Sequence, residues 1–547
     1  MRLASFFLLS LLVLLNAAAA TDDYPKNPGV DALNYAFQLS LSDQSDVISG
    51  HATIDIRFKL PGIQQLRLDL TSRSEETDTG MHVSAVMVDG SDVSYTHEAD
   101  ALLISLASES SPGERISVSI VYSGIPATGL IIGPNKHGDR TFFSDNWPNK
   151  ARNWLPTIDH PYDKATCEFV VDAPVHYQVI SNGLLVEETD LQDGFRRTHW
   201  RQSVPIATWL YAIGVARFAV DYVDSFEGKS IQTWVYHQDR DNGFYDFAVP
   251  TKAAMQFYSM MVGPYSYEKL ANVQSNSVGG GMEAATAIFY GDASVTGDRS
   301  ERWRNVIIHE VAHQWFGNAV TEYDWDDVWL SEGFATYFTL LFIEHAYGRD
   351  AFVDGLESSY RRVKSFYDSR PDYVLVHNNL SDMSQVTTSQ TYQKGSWVLH
   401  MLRYVVGDDS FWSGIQSYYQ EFRDLNATTS DFQRHMEEAS GQDLDTFFRQ
   451  WLYRPGHLSV EGSWHYNESA EEIVIELDQV QTDGSVFSMP IEIGIFSENT
   501  TTPRIESAQL GSTAATLRIP VQSRPTKVIL DPEKWLLMES RFVENTP

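Results

Sequence analysis

From about residue 30 the chain alternates apolar and polar positions. Leu33, Tyr35, Phe37, Leu39 and Leu41 recur at every second place. Ile54, Ile56, Phe58 and Leu60 interleave with Asp55, Arg57 and Lys59, and Ile116, Val118 and Ile120 repeat the pattern. A period of two with polar turns between short runs predicts half-buried strands and a β-rich domain reaching about Asp221. The period changes near Phe244. Apolar residues from Phe244 to Val262 fall at helical spacing, and Gly263-Pro264 predicts the stop. Helical pattern dominates to about Leu452. Within it, Ser430-Asp431-Phe432-Gln433 reads as a capping box and Gly441 as a helix end. Alternation returns after Arg454-Pro455-Gly456. Ile473, Ile475 and Leu477, then Ile491, Ile493 and Ile495, then Leu517, Ile519 and Val521 predict the strands of a small terminal β-sandwich.

The predicted class is therefore multidomain α+β. The segments are 1–20, a leader; 21–235, an N-terminal β-sandwich or saddle; 236–455, a mainly helical domain; and 456–547, the C-terminal β-sandwich. The leader reading rests on Arg2, the apolar run from Phe6 to Leu15, and Ala18-Ala19-Ala20 before Thr21. That is the layout of a secretory signal peptide, too short to span a bilayer. No later segment is apolar enough to cross a membrane, so the expected location is exported, periplasmic or secreted.

Composition narrows the function. The formal charge is −33 over 547 residues, which excludes a nucleic-acid partner because phosphate neutralisation needs a basic surface. Charge of this sign serves solubility. The single cysteine, Cys167, rules out an internal disulfide, and its strand-like setting in Ala165-Thr166-Cys167-Glu168-Phe169 argues against a nucleophilic role. Sequons at Asn379, Asn426, Asn467 and Asn499 carry no inference without knowledge of the host.

The chemistry concentrates in His309-Glu310-Val311-Ala312-His313. A helix sets residues four apart on one face, so both imidazoles aim at one point. Val311, Ala312, Trp315 and Phe316 make that helix largely buried, where unpaired polar groups are costly. A zinc ion satisfies them together, and a hydrolytic site keeps three protein ligands and one open position. Glu332, in Trp329-Leu330-Ser331-Glu332-Gly333-Phe334-Ala335, follows His313 after eighteen intervening residues and supplies the third ligand. Glu310 is placed to act as general base. Thr336, one turn after Glu332, and Asn318 are expected to orient the ligands.

Together with Gly280-Gly281-Met282-Glu283 and Tyr392-Gln393-Lys394-Gly395, these motifs resemble the aminopeptidase N family of zinc metallopeptidases, whose third metal ligand is a glutamate. The stretch from Ala151-Arg152-Asn153-Trp154 to Lys164-Ala165-Thr166 is similar to the end of that family's N-terminal domain, and Phe447 to Gly456 to its catalytic-domain exit. The resemblance implies a thermolysin-like catalytic domain, one zinc per chain and peptides with a free N-terminus as substrates. It gives Glu283 the substrate ammonium, Gly280, Gly281 and Met282 its backbone, and Tyr392 the oxyanion. Two positions depart from the family pattern. Ala284 stands where asparagine is usual, and Trp147 where a second ammonium anchor is usual, which leaves Asp145 or Asn146 to substitute. The family's large helical C-terminal domain has no counterpart here, which implies a more open cleft. The same motifs also admit an endopeptidase, an epoxide hydrolase or an inactive binding protein on the peptidase fold.

Overall fold

The computed structural model describes residues 22–377, 380–498 and 500–545. The leader and the sequons at Asn379 and Asn499 lie outside the described residues. An eight-stranded sheet forms the N-terminal unit. At its centre Val30–Ser42 pairs antiparallel with Ser45–Phe58 and parallel with Ala165–Pro174. A four-stranded sheet (Gln178–Ser181, Ile213–Ala216, Arg140–Ser144, Leu130–Pro134) and a three-stranded one complete it. Tyr35, Phe37, Leu39 and Leu41 are buried as their spacing predicts. Leu33 is not: a register shift between Ala32 and Asn34 puts Ala32 inward instead, because a bulge inverts the parity of the strand. Leu60 lies past the end of its strand and is exposed.

The strands Phe218–Phe226 and Lys229–Tyr236 fall inside the segment assigned from sequence to the N-terminal domain. They pair instead with Lys269–Ser275, Ala287–Gly291 and Gly281–Met282 in one five-stranded sheet. That sheet opens the second unit, so the border lies near Arg217 rather than at 235. Alternation reveals a strand but not which sheet receives it. Gly281–Met282 is the edge of this sheet and borders the cleft described below.

Helices follow. The one expected from Phe244 to Val262 is two helices, Arg240–Phe247 and Thr251–Met261, because Pro250 has no N–H to continue the ladder. The cap near 430 sits two residues earlier than the sequence reading. Thr428 and Asp431 exchange the reciprocal capping bonds, since the helix starts at Thr429, and Gly441 ends it in the left-handed region. The C-terminal unit packs a four-stranded sheet on a three-stranded one, with Ile473, Ile475, Leu477, Ile491, Ile493 and Ile495 buried between them. Cys167 is buried in its strand. The Asn426 amide donates to the carbonyls of Pro161 (2.7 Å) and Glu322 (3.2 Å). Among the described residues no helix is long and apolar enough to cross a membrane.

Candidate metal centre and cleft

The histidines lie on the helix Glu301–His313, started by Ser300, whose side chain accepts the Trp303 N–H. Glu332 is in the first turn of the helix Trp329–Tyr347. Aromatic packing fixes one helix against the other. Phe316 packs at a tilt against Phe334 and Phe338, with centroids 4.9 and 4.7 Å away, and the Tyr258 hydroxyl lies within hydrogen-bonding reach of the carbonyls of Ile308 and Phe338. Each such ring pair contributes about 0.5–1.5 kcal/mol beyond its buried area.

The three donor atoms converge. His309 Nε2 and His313 Nε2 are 3.1 Å apart, and Glu332 Oε2 is 3.4 Å from the first and 3.2 Å from the second. Ligands of a tetrahedral zinc with bonds of about 2.0–2.1 Å stand about 3.3 Å from one another. Glu332 Oε2 is buried and takes part in no hydrogen bond among the described residues, so the donor set fits a small divalent cation. The His313 ring is oriented from behind. Its Nδ1 faces the Phe316 carbonyl at 3.1 Å and Ser331 Oγ at 3.2 Å, which leaves Nε2 as the inward lone pair. Gly317 permits this loop. Its φ is +100°, and a Cβ there would overlap Ser331 Oγ.

The electrostatics call for positive charge. Burial opposes protonation of His313, but the carboxylates of Glu283 and Glu332 outweigh it and push its pKa up to about 10. Burial, then the neighbouring Glu283, raises the Glu310 carboxyl well above its ordinary range. Burial raises Glu283 to about 7, with His313 opposing and Glu332 adding.

A cleft of about 420 Å³ opens on this centre. Gly280, Gly281, Glu283, Glu310, Thr336 and Tyr392 line it together with the three ligands. Gly281 must be glycine, because a Cβ would fall on the Glu310 carboxylate. Glu283 Oε1 lies 4.0 Å from His313 Nε2, buried and without a hydrogen bond among the described residues. Tyr392 sits in a short π-helical segment, Gln390–Lys394, a form that recurs at functional sites. Its hydroxyl donates to Glu332 Oε1 at 2.7 Å. Gly333 and Gly395 make this contact possible: a Cβ on Gly333 would lie 2.9 Å from Gly395 Cα, so only two glycines let the segments meet so closely. The Lys394 ammonium beside it donates to the Tyr367 hydroxyl at 2.7 Å and is structural.

Two expected orienting groups differ from their assignment. Asn318 does not touch a ligand side chain; its amide donates to the Glu283 carbonyl at 2.7 Å, alongside the Gln314 amide at 2.9 Å. Thr336 lines the cleft, and its hydroxyl makes no hydrogen bond among the described residues. Asn146 is committed to the fold, bridging Tyr211 and Trp154. Asp145 is paired with Lys150 at 2.8 Å, yet its charge still raises the Glu283 pKa. Trp147 is wedged edge-on against Trp209 and Trp325. Gln314, Ser331 and Gly317 escaped the sequence reading, since only the fold shows what they touch.

The chain is similar to known proteins over both of its first two units. The chain matches the Peptidase M1 N-terminal domain over residues 31–210 and the Peptidase family M1 domain over residues 245–451, together well over half its length. It is 29% identical to the glutamyl aminopeptidase of Rattus norvegicus over 346 residues, which are 61% of this chain and 36% of that protein. It is 28% identical to aminopeptidase M1-A of Oryza sativa subsp. japonica over 348 residues, 61% of this chain and 38% of that one. The match thus spans little more than a third of these relatives. An M1 zinc metallopeptidase from Deinococcus radiodurans superposes with a TM-score of 0.65 at 25% identity, covering 77% of this chain and 93% of that one. A mutant form of that enzyme bound to a Tyr-ser-ala substrate superposes with a TM-score of 0.66 at the same identity, over 78% and 94%.

Proposed function

Because the chain belongs to peptidase family M1, we propose that it is an exported, zinc-dependent aminopeptidase that removes residues singly from the free N-terminus of peptides. Zinc held by His309, His313 and Glu332 would supply Lewis acidity to a scissile carbonyl and lower the pKa of a water. Glu310, across from those ligands, takes the proton of the attacking water and later delivers it to the leaving amine. Tyr392 donates its hydroxyl to the oxyanion as negative charge develops, exchanging the bond it makes to Glu332 for one to substrate. The strand Gly281–Met282 is the sheet's edge among the described residues, paired on one side with Tyr290 and Phe289, and its outer side is the one the substrate backbone would add to.

The observation that carries the exopeptidase reading is Glu283. A buried carboxylate with an unpartnered oxygen, at the metal's edge, is a seat for a cation. An α-ammonium placed there sets one residue between the chain end and the reacting carbonyl. Asp145 is proposed as the second, longer-range partner of that ammonium. The test is a panel of aminoacyl anilides with free and N-acetylated amino groups, run before and after chelation. Free-amine substrates are expected to be cleaved, acetylated ones ignored, and activity to return on adding zinc. Equal cleavage of both kinds defeats the assignment.

Tyr392→Phe isolates the oxyanion donor. Its kcat is expected to fall about 10²-fold with KM little changed, since the hydroxyl acts as charge develops. Steady-state kinetics on a free-amine anilide would show it, and an unchanged kcat would take Tyr392 out of the mechanism.

A further inference from the structure

Three residues beyond Glu283 the backbone is forced. Thr286 is fully buried and has φ +66°, a conformation that a β-branched residue rarely adopts. Strain of this kind persists only where the surroundings over-determine it, and here they do. The Thr286 N–H donates to Gln314 Oε1 at 3.1 Å, and its carbonyl accepts from Ala271 N–H at 2.9 Å. Its hydroxyl oxygen accepts from Gly183 N–H at 2.7 Å and from the Lys269 ammonium at 3.0 Å. Gly183 belongs to the N-terminal domain. So does Asn182, whose amide donates to the Ala285 carbonyl at 2.6 Å and the Leu210 carbonyl at 2.9 Å, while its oxygen accepts Ala212 N–H at 2.7 Å. Gly183 has φ +73°, and a Cβ there would collide with the Arg201 carbonyl, so the turn itself has one shape. Lys269 ties the two sides together, donating also to the Ser181 carbonyl at 2.9 Å.

The segment from Glu283 to Thr286 is thus held at both ends. Gln314 and Asn318, just beyond the histidine helix, grip the Glu283 carbonyl. The Asn182–Gly183 turn of the other domain grips Ala285 and Thr286. We infer that Asn182 and Thr286 are positioning residues for the amine-binding carboxylate: the N-terminal domain fixes where Glu283 stands by locking a strained threonine three residues away. The inference rests on the aminopeptidase reading and deepens it. Neither residue lines the cleft, so their effect on it must travel through the backbone of this segment.

Substitutions at these two positions separate recognition of the amine from chemistry and from folding. In Asn182→Asp the oxygen facing Ala212 N–H is kept and the amide donor is replaced by an acceptor opposite two carbonyls. In Thr286→Val the shape is kept and the hydroxyl lost, whereas Thr286→Ser keeps the hydroxyl. For the zinc-loaded full chain, Asn182→Asp and Thr286→Val are expected to raise KM for a free-amine anilide about tenfold, as loss of a buried hydrogen bond allows, with kcat within about threefold of wild type. Zinc content should stay at one per chain, and Thr286→Ser should track wild type. An unmoved KM in folded, zinc-loaded variants overturns the inference, and so does a joint fall of kcat and zinc content. If Asn182→Asp does not fold, the Thr286→Val and Thr286→Ser pair decides alone. Wild-type protein that cleaves free and acetylated substrates alike would instead defeat the parent reading, and this one with it.

Discussion

Glu310→Gln is expected to lower kcat by about 10³–10⁴-fold while leaving one zinc per chain. Glutamine matches glutamate in shape, so it fits the space that Gly281 leaves beside it. Metal binding should survive because the converging donors are His309, His313 and Glu332, and Glu310 is not among the three. What is lost is a group able to accept a proton. Burial and the adjacent Glu283 favour the neutral carboxyl, the form Glu310 reaches once it has taken the proton of the water. Single-turnover kinetics beside a metal assay would separate proton transfer from metal binding. A variant that keeps zinc and full turnover places the base elsewhere. One that loses both shows that Glu310 helps to hold the ion.

The centre was legible because helical periodicity converts sequence spacing into geometry without help from the rest of the fold. His309 and His313 needed only a helix, and one forms from Glu301 to His313. Glu332 needed the next helix to lie alongside, which the spacing does not dictate; the Phe316, Phe334 and Phe338 rings bring it there. Tyr392 stood out only through its Tyr-x-Lys-Gly setting. The structure supplies the physical cause, a glycine-on-glycine approach between Gly333 and Gly395 that brings the tyrosine hydroxyl onto Glu332.

Elsewhere the sequence pattern ran out where long-range contacts decide. Alternation marked Phe218 to Tyr236 as strands but could not tell that their partner is Lys269–Ser275. Asn318 carried the right residue type for an orienting group, yet its target is a main-chain carbonyl thirty-five positions away. Asn182, Gln314 and Thr286 lie in no motif, since their roles arise from hydrogen bonds between segments distant in the chain. The bulge at Ala32 inverted one strand end for a local reason that apolar counting does not register.

Glu283→Ala is expected to cut kcat/KM for free-amine substrates by about 10³-fold, since truncating one partner of a buried charge pair costs about 2–5 kcal/mol. Its effect on stability should have the opposite sign. In the free protein Glu283 Oε1 has no hydrogen bond among the described residues, and its charge stands beside those of Glu310 and Glu332. Removing it ends the repulsion between a desolvated carboxylate and Glu332; its attraction for His313 is lost, but His313 keeps Glu332 Oε2 at 3.2 Å as its counter-charge. The loop keeps its place because Gln314 and Asn318 hold the Glu283 main-chain carbonyl, which alanine retains. The melting temperature of the apo protein should therefore equal or exceed that of wild type, while discrimination between free and acetylated amines shrinks. Calorimetry and the paired substrates measure the two effects on one preparation. Undiminished preference for free amines would show that another group reads the ammonium. A marked fall in melting temperature would show that the carboxylate is there for the fold, and the trade between function and stability at this position would be absent.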